Sequence, residues 1–237
     1  MRWIVPLFVI MDDVRRWSRG GAGLGSGVFR RSGSYQGDAV DLTEQFAHMA
    51  TGGMYDDLTP ELLEARTRAV LATNGYNASY GRPSPERESL LKEVVGSAGE
   101  GANFEPTFRC EFGRNIHLGA RFFANFDCVM LDGAPIVIGD DVLIGPKVGL
   151  YTSNHALDLE ERIAGGCWAR PITIGNGVWI AGGVTVLPGV TIGDGAVIGG
   201  GSVVTKDVPA GVVFAGNPGR VLREITAKDR TGYTSTH

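Results

Sequence analysis

Residues 171–204 read PITIGNGVWIAGGVTVLPGVTIGDGAVIGGGSVV, in which Ile174, Ile180, Val186, Ile192, Ile198 and Val204 stand six residues apart. Four residues behind each comes a second small residue: Val178, Val184, Val190, Ala196, Ser202 and Val208. Upstream, Ile138, Ile144 and Leu150 keep the same beat, with Val142 and Val148 in the fourth slot. Such a period fits neither an amphipathic helix, at about 3.6 residues per turn, nor simple strand alternation. It fits a short strand plus a turn, repeated, and therefore predicts a mainly β fold built as a parallel β-helix.

The lattice is interrupted once. Leu150 and Ile174 are 24 residues apart, a whole number of sixes, so the lattice resumes in register after an inserted loop at 151–173. Long loops in compact repeat folds are usually functional or disordered. Of the loop's charged and aromatic residues, His155 is the most chemical. A neutral imidazole suits the role of general base toward a hydroxyl once a partner fixes its tautomer. On position alone it reads equally well as a solvent-exposed loop histidine. His48, His117 and the terminal His237 are read as non-catalytic. Four histidines without a paired spacing do not offer the three-histidine zinc site of a carbonic anhydrase, and no metal is expected.

Composition narrows the classes further. A net charge of -4 with pI near 5.6 argues against a nucleic-acid binder working through a basic footprint. The 36 glycines are about twice the usual share, and those that recur after the aliphatic residue of a repeat belong to turns. Three unevenly spaced cysteines, Cys110, Cys128 and Cys167, form neither a disulfide framework nor a zinc-ligand pattern, so a reducing cytoplasm is the simplest home. Residues 1–40 hold a short apolar stretch and a Gly-rich piece that no βαβ unit surrounds, and are set aside as a disordered or unmatched leader.

A helical module is expected over 41–100. Thr59-Pro60-Glu61 sets an N-cap and an N1 proline, with Asn74-Gly75 as the stop. A second helix runs from about Ser84, with Glu88 as reciprocal cap, to Gly96. The β-helix occupies 101–228, with degenerate early coils, and Val221 to Lys228 is expected to cap its open end as a helix. Residues 229–237 form a tail. Flat aliphatic faces on so short a prism suggest self-association.

Several motifs in order resemble one family. They are EPTFRCEFGRNIHLG from Glu105, FANFDCVMLD from Phe123, PITIGNGVWI from Pro171, VTIGDG from Val190, VVTKDVP from Val203 and GNPGRVLR from Gly216. Together they resemble the maltose/galactoside O-acetyltransferases, and the likeness runs from about residue 45 to 226. The resemblance implies a left-handed parallel β-helix, a homotrimer with active sites between subunits, acetyl-CoA as donor and a sugar as acceptor. It places His155 as the catalytic base and Asn125 as an active-site asparagine that also lies along the cofactor. Asp57, Asp132, Cys167 and Trp179 fall on the acceptor side. Gly182 and Gly200 match backbone contacts to the CoA arm, and Thr205, Lys206, Arg220 and Arg223 match its phosphate end. An oxyanion donor is expected from backbone N–H near Gly182.

The chain departs from the pattern at Gly133, where some relatives have aspartate, at Gly182, where some have serine, and at Cys167, where a methionine can stand. These changes weigh against strict galactoside specificity. The alternatives are a different small hydroxyl or amine acceptor, or a non-catalytic trimeric scaffold.

Overall fold

The computed structural model describes residues 41–234; the expectations for 1–40 and for His237 lie outside them. Three parallel walls wind around one core. The first stacks Ser97–Ala98, Ile116–Leu118, Ile136–Ile138, Ile172–Ile174 and Thr191–Ile192. The second runs Asn103–Phe104, Phe123–Ala124, Leu143–Ile144, Trp179–Ile180, Val197–Ile198 and Val212–Gly216. The third holds Phe108–Cys110, Cys128–Leu131, Gly149–Tyr151, Thr185–Val186 and Val203–Val204. The first wall strand is thus Ser97–Ala98, a little before the expected start at 101.

Each aliphatic residue of the six-residue lattice points inward and stacks on its equivalent one coil away. Ile138, Ile174 and Ile192 form one column, and Ile144, Ile180, Ile198 and Phe214 another. All are buried, and each such burial is worth about 1.5–3 kcal/mol of transfer free energy. Ser202 is the polar member of the fourth-slot series. Its hydroxyl donates to Gly199 O and accepts Gly216 N–H at 3.1 Å, which satisfies it inside the core.

Stacking also explains the degenerate early coils. Ile174 sits on Ile192, 18 residues on, but Leu118 sits on Ile138, 20 residues on. The extra pair falls at one corner, between Cys110 and Leu118 and again between Met130 and Ile138. On the third coil the same corner carries the insert. Turn residues change along the solenoid as well. Arg121, Asp127, Asp141 and Lys147 take positive φ in the early coils, while Gly177, Gly183, Gly195 and Gly201 do so later.

At the start, helix α1 (Leu42–Ala50) packs Phe46 and Met49 into a second core beside the insert, while helix α2 (Pro60–Ala78) and helix α3 (Ser84–Val94) cover the first coil. Thr59 caps α2 as expected, but α2 continues past Asn74-Gly75 to Ala78. Gly75 is exposed, and Tyr76 and Asn77 beyond it bind the first coil. Tyr76 Oη accepts Phe104 N–H at 3.0 Å, and Asn77 bonds both Phe108 N–H and Phe108 O. Tertiary bonds therefore outweigh the local stop signal. Helix α3 has no side-chain cap; its N-cap is Pro83, and Ser84 is its first residue rather than its cap.

At the far end the expected helix over Val221–Lys228 is absent. Gly219–Glu224 is a strand that folds back antiparallel on Val212–Gly216, followed by a single 3-10 turn at Ala227–Asp229. Asn217-Pro218-Gly219 makes the reversal, and β-branched residues before it favour a hairpin. Among the described residues no helix is long and apolar enough to cross a membrane.

Candidate active site

The insert is not a loose loop. Ser153–His155 pairs antiparallel with Gly166–Ala169, and Tyr55–Asp56 from the helical module adds on the other side. Cys167 stands opposite both Tyr55 and His155 in this three-stranded sheet. Helix α4 (Leu159–Ile163) closes the excursion, capped by Asp158, which accepts Glu160 and Glu161 N–H at 2.9 and 3.0 Å. A second apolar core anchors the sheet to the widened corner: Phe46, Met49, Tyr55, Leu62, Ala65, Phe112, Ala134, Cys167 and Ala169. Within it Phe46 meets Phe112 edge-on, ring centres 4.9 Å apart.

This pairing brings together three residues that are far apart in sequence. A donor atom from each of Asp57, His155 and Cys167 lies within 4.8 Å of the other two. Asp57 follows directly on the added strand, and its N–H bonds Gly165 O at 3.0 Å. Burial raises the Asp57 carboxyl above the usual carboxylate range, against the opposing pull of Arg66. Cys167 is buried, its thiol donates to Asn154 O at 3.0 Å, and burial pushes that thiol up to about 12.

Two residues of this site were missed by sequence reasoning. Arg66 on α2 donates to the Asp57 carboxylate, to Asp57 O at 2.8 Å and twice to Glu111 Oε1, at 2.8 and 3.0 Å. Its guanidinium also lies 5.0 Å from the centre of the Phe112 ring. Glu111 occupies the widened corner, with Oε2 buried and without a partner. Burial raises its carboxyl to about 7 in spite of Arg66. The signal was available: Arg66 sits beside the buried stripe Leu62, Ala65 and Ala69, and a charge there needs a counter-charge.

Asp132, expected on the acceptor side, is fully buried. One of its oxygens accepts Glu111 and Phe112 N–H at 3.1 and 2.8 Å, and the other accepts Asn115 N–H at 3.2 Å. Its carboxylate ties the first two coils together and is not open to a ligand in this chain. At neighbouring Gly133, a Cβ would come within 2.3 Å of Ser153 Oγ and 3.2 Å of Tyr55 Oη, so the departure at this position is built into the packing.

The remaining expected residues lie elsewhere on the solenoid. Asn125 follows a second-wall strand, and its Oδ1 accepts Phe126 N–H at 2.8 Å. Gly182 and Gly200 stack one coil apart: Gly201 N–H bonds Gly182 O at 3.0 Å, and a Cβ on Gly200 would meet that oxygen at 3.3 Å. Trp179 is 52% exposed on the second wall, in register with Leu143 and Val197. Thr205 and Lys206 follow the last third-wall strand. Arg220 and Arg223 lie on the returning strand of the hairpin, where Arg223 pairs with Asp229 at 2.7 and 2.9 Å. The contacts gather Asp57, His155 and Cys167; they do not join Asn125, Trp179 or the basic residues to that trio.

Comparison with known proteins agrees with this architecture. Residues 48–99 match the maltose acetyltransferase hexapeptide capping motif, and residues 171–206 match the bacterial transferase hexapeptide (six repeats). The galactoside O-acetyltransferase of Escherichia coli (strain K12) is 44% identical over 194 residues, covering 82% of this chain and 94% of that protein. A solved galactoside acetyltransferase in complex with coenzyme A is 42% identical with a TM-score of 0.75, over 81% of this chain and 96% of that one. A maltose O-acetyltransferase from Clostridium difficile 630 is 42% identical with a TM-score of 0.74, over 77% and 97%.

Proposed function

The chain belongs to the galactoside and maltose O-acetyltransferase family, and from that premise we propose that it moves acetyl from acetyl-CoA to a hydroxyl of a sugar. One observation carries the reading: the insert's sheet sets His155 beside Asp57, within 4.8 Å, at the end of the strand that the helical module contributes. A base and an acceptor-binding carboxylate from separate parts of the chain then face one substrate.

In this reading His155 takes the proton of the acceptor hydroxyl as its oxygen attacks the thioester carbonyl. The C–O bond forms, the C–S bond breaks, and the CoA thiolate leaves to be protonated, with no acyl-enzyme. Asp57, oriented by Arg66, holds a second hydroxyl of the acceptor. Gly182 offers its own N–H to the oxyanion, since Ala181 N–H is spent on Ile198 O and Gly183 N–H on Pro146 O. Asn125, Gly182 and Gly200 line the CoA arm, and Thr205, Lys206, Arg220 and Arg223 the phosphate end. Asp132 acts through the corner it fixes.

The active unit is a homotrimer. Supporting this, Leu143 and Trp179 are half exposed in one second-wall column that Phe123 and Val197 extend, an apolar row suited to a second copy. Gly133 and Cys167 reshape the acceptor side and favour a maltose- or glucose-like acceptor over a galactoside. The test is thiol release from acetyl-CoA across a panel of sugars. Release that depends on an added hydroxyl acceptor is expected. No release with any hydroxyl or amine acceptor would overturn the reading in favour of a scaffold.

A further inference from the structure

The trio that supplies the base is also a ligand set. We propose that Asp57, His155 and Cys167 form a binding site for a thiophilic divalent cation, zinc above all, and that occupancy switches the transferase off. The inhibitory half of this rests on His155 acting as the base; the binding half does not.

The geometry is close to what coordination needs. With Zn–S of about 2.3 Å and Zn–N of about 2.0 Å, tetrahedral donors sit roughly 3.3–3.7 Å apart. The three donors lie within 4.8 Å of one another, so side-chain rotations of about 1 Å close the set. One thiolate, one imidazole and one carboxylate suit zinc and exclude magnesium or calcium, which take oxygen ligands. Three protein ligands leave a fourth position for water.

Surrounding groups fit a cation. Arg66 binds Asp57 through one carboxylate oxygen, in the manner of an outer partner that orients a ligand. Glu111 also engages Arg66, so Asp57 does not hold the guanidinium alone. Tyr55 is buried, its hydroxyl lies beside Cys167 and Ser153, and no hydrogen bond of good geometry reaches it. A metal-bound thiolate would accept that O–H and satisfy it. Coordination releases the Cys167 thiol proton to solvent and occupies the imidazole lone pair, which removes the base.

The test uses the full chain with Co2+ as the probe. A near-ultraviolet thiolate-to-cobalt absorption band with tetrahedral visible bands is expected, displaced by equimolar Zn2+ and untouched by excess Mg2+. The band should be lost in Cys167→Ser and in His155→Gln, each checked for native fold by circular dichroism. No band in the wild type, or a band that survives in Cys167→Ser and so belongs to Cys110 or Cys128, overturns the site. Zn2+ should abolish acetyl transfer at the concentration that displaces cobalt. A bound metal with undiminished transfer would keep the site and overturn both its inhibitory role and His155 as base.

Discussion

Glu111→Gln isolates the cost of holding a carboxylate at the widened corner. Glu111 is buried, Arg66 reaches only Oε1, and Oε2 has no partner. Burial raises its carboxyl from 4.5 to about 7. The folded protein therefore holds the Glu111 proton more tightly than the unfolded chain. Its contribution is fully present below pH 4.5, declines as pH rises, and is gone above about 7. At about 1.4 kcal/mol per unit, the shift corresponds to roughly 3 kcal/mol. Glutamine keeps the acceptor for Arg66 but has no proton to lose. Urea unfolding of both proteins from pH 4.5 to 8 should show the wild type losing about 3 kcal/mol relative to Glu111→Gln across that window. A stability difference that is flat with pH, or that favours the wild type as pH rises, would refute the argument that burial outweighs Arg66.

Other substitutions probe other links. Tyr76→Phe removes a hydroxyl that accepts Phe104 N–H and donates to Asn103 or Phe104 O, and should cost about 1–3 kcal/mol by denaturant unfolding. At Gly113, φ is 76° and a Cβ would sit 2.0 Å from Val94 O, so Gly113→Ala should destabilise by more than about 2 kcal/mol while an exposed Gly75→Ala, with open space around it, should not. Trp179→Glu places a charge in the exposed second-wall row; if the proposed trimer forms through that row, sedimentation should show a trimeric wild type and a smaller variant, with the circular dichroism spectrum of the β-helix retained.

How much was legible depended on how local the signal was. The coil interior is written into sequence because each inward residue repeats after one strand and one turn, so Ile174, Ile180 and Val186 could be placed directly. The register of the insert was legible for the same reason, as the lattice resumes on Ile174. What the insert does was not. Its strand pairing with Tyr55–Asp56 is a contact across roughly a hundred residues, and no periodicity encodes it. Arg66 escaped because it lies in no motif, and Glu111 because the motif from Glu105 that contains it says nothing of an ion pair; the eight-residue step from Cys110 to Leu118 marked the corner without naming its use. Val221–Lys228 misled because a segment expected to cap the open end takes its conformation from the strand it meets. Asp132 looked like a ligand-facing residue, but the backbone N–H groups of the preceding coil claim it.

The most direct test of the account is acetyl-CoA turnover by His155→Ala with a productive sugar acceptor. A positioned general base contributes about a hundred- to ten-thousand-fold, so kcat should fall by that factor, with circular dichroism and oligomeric state unchanged. Full activity in His155→Ala would contradict the claim that the interrupted coil supplies the base.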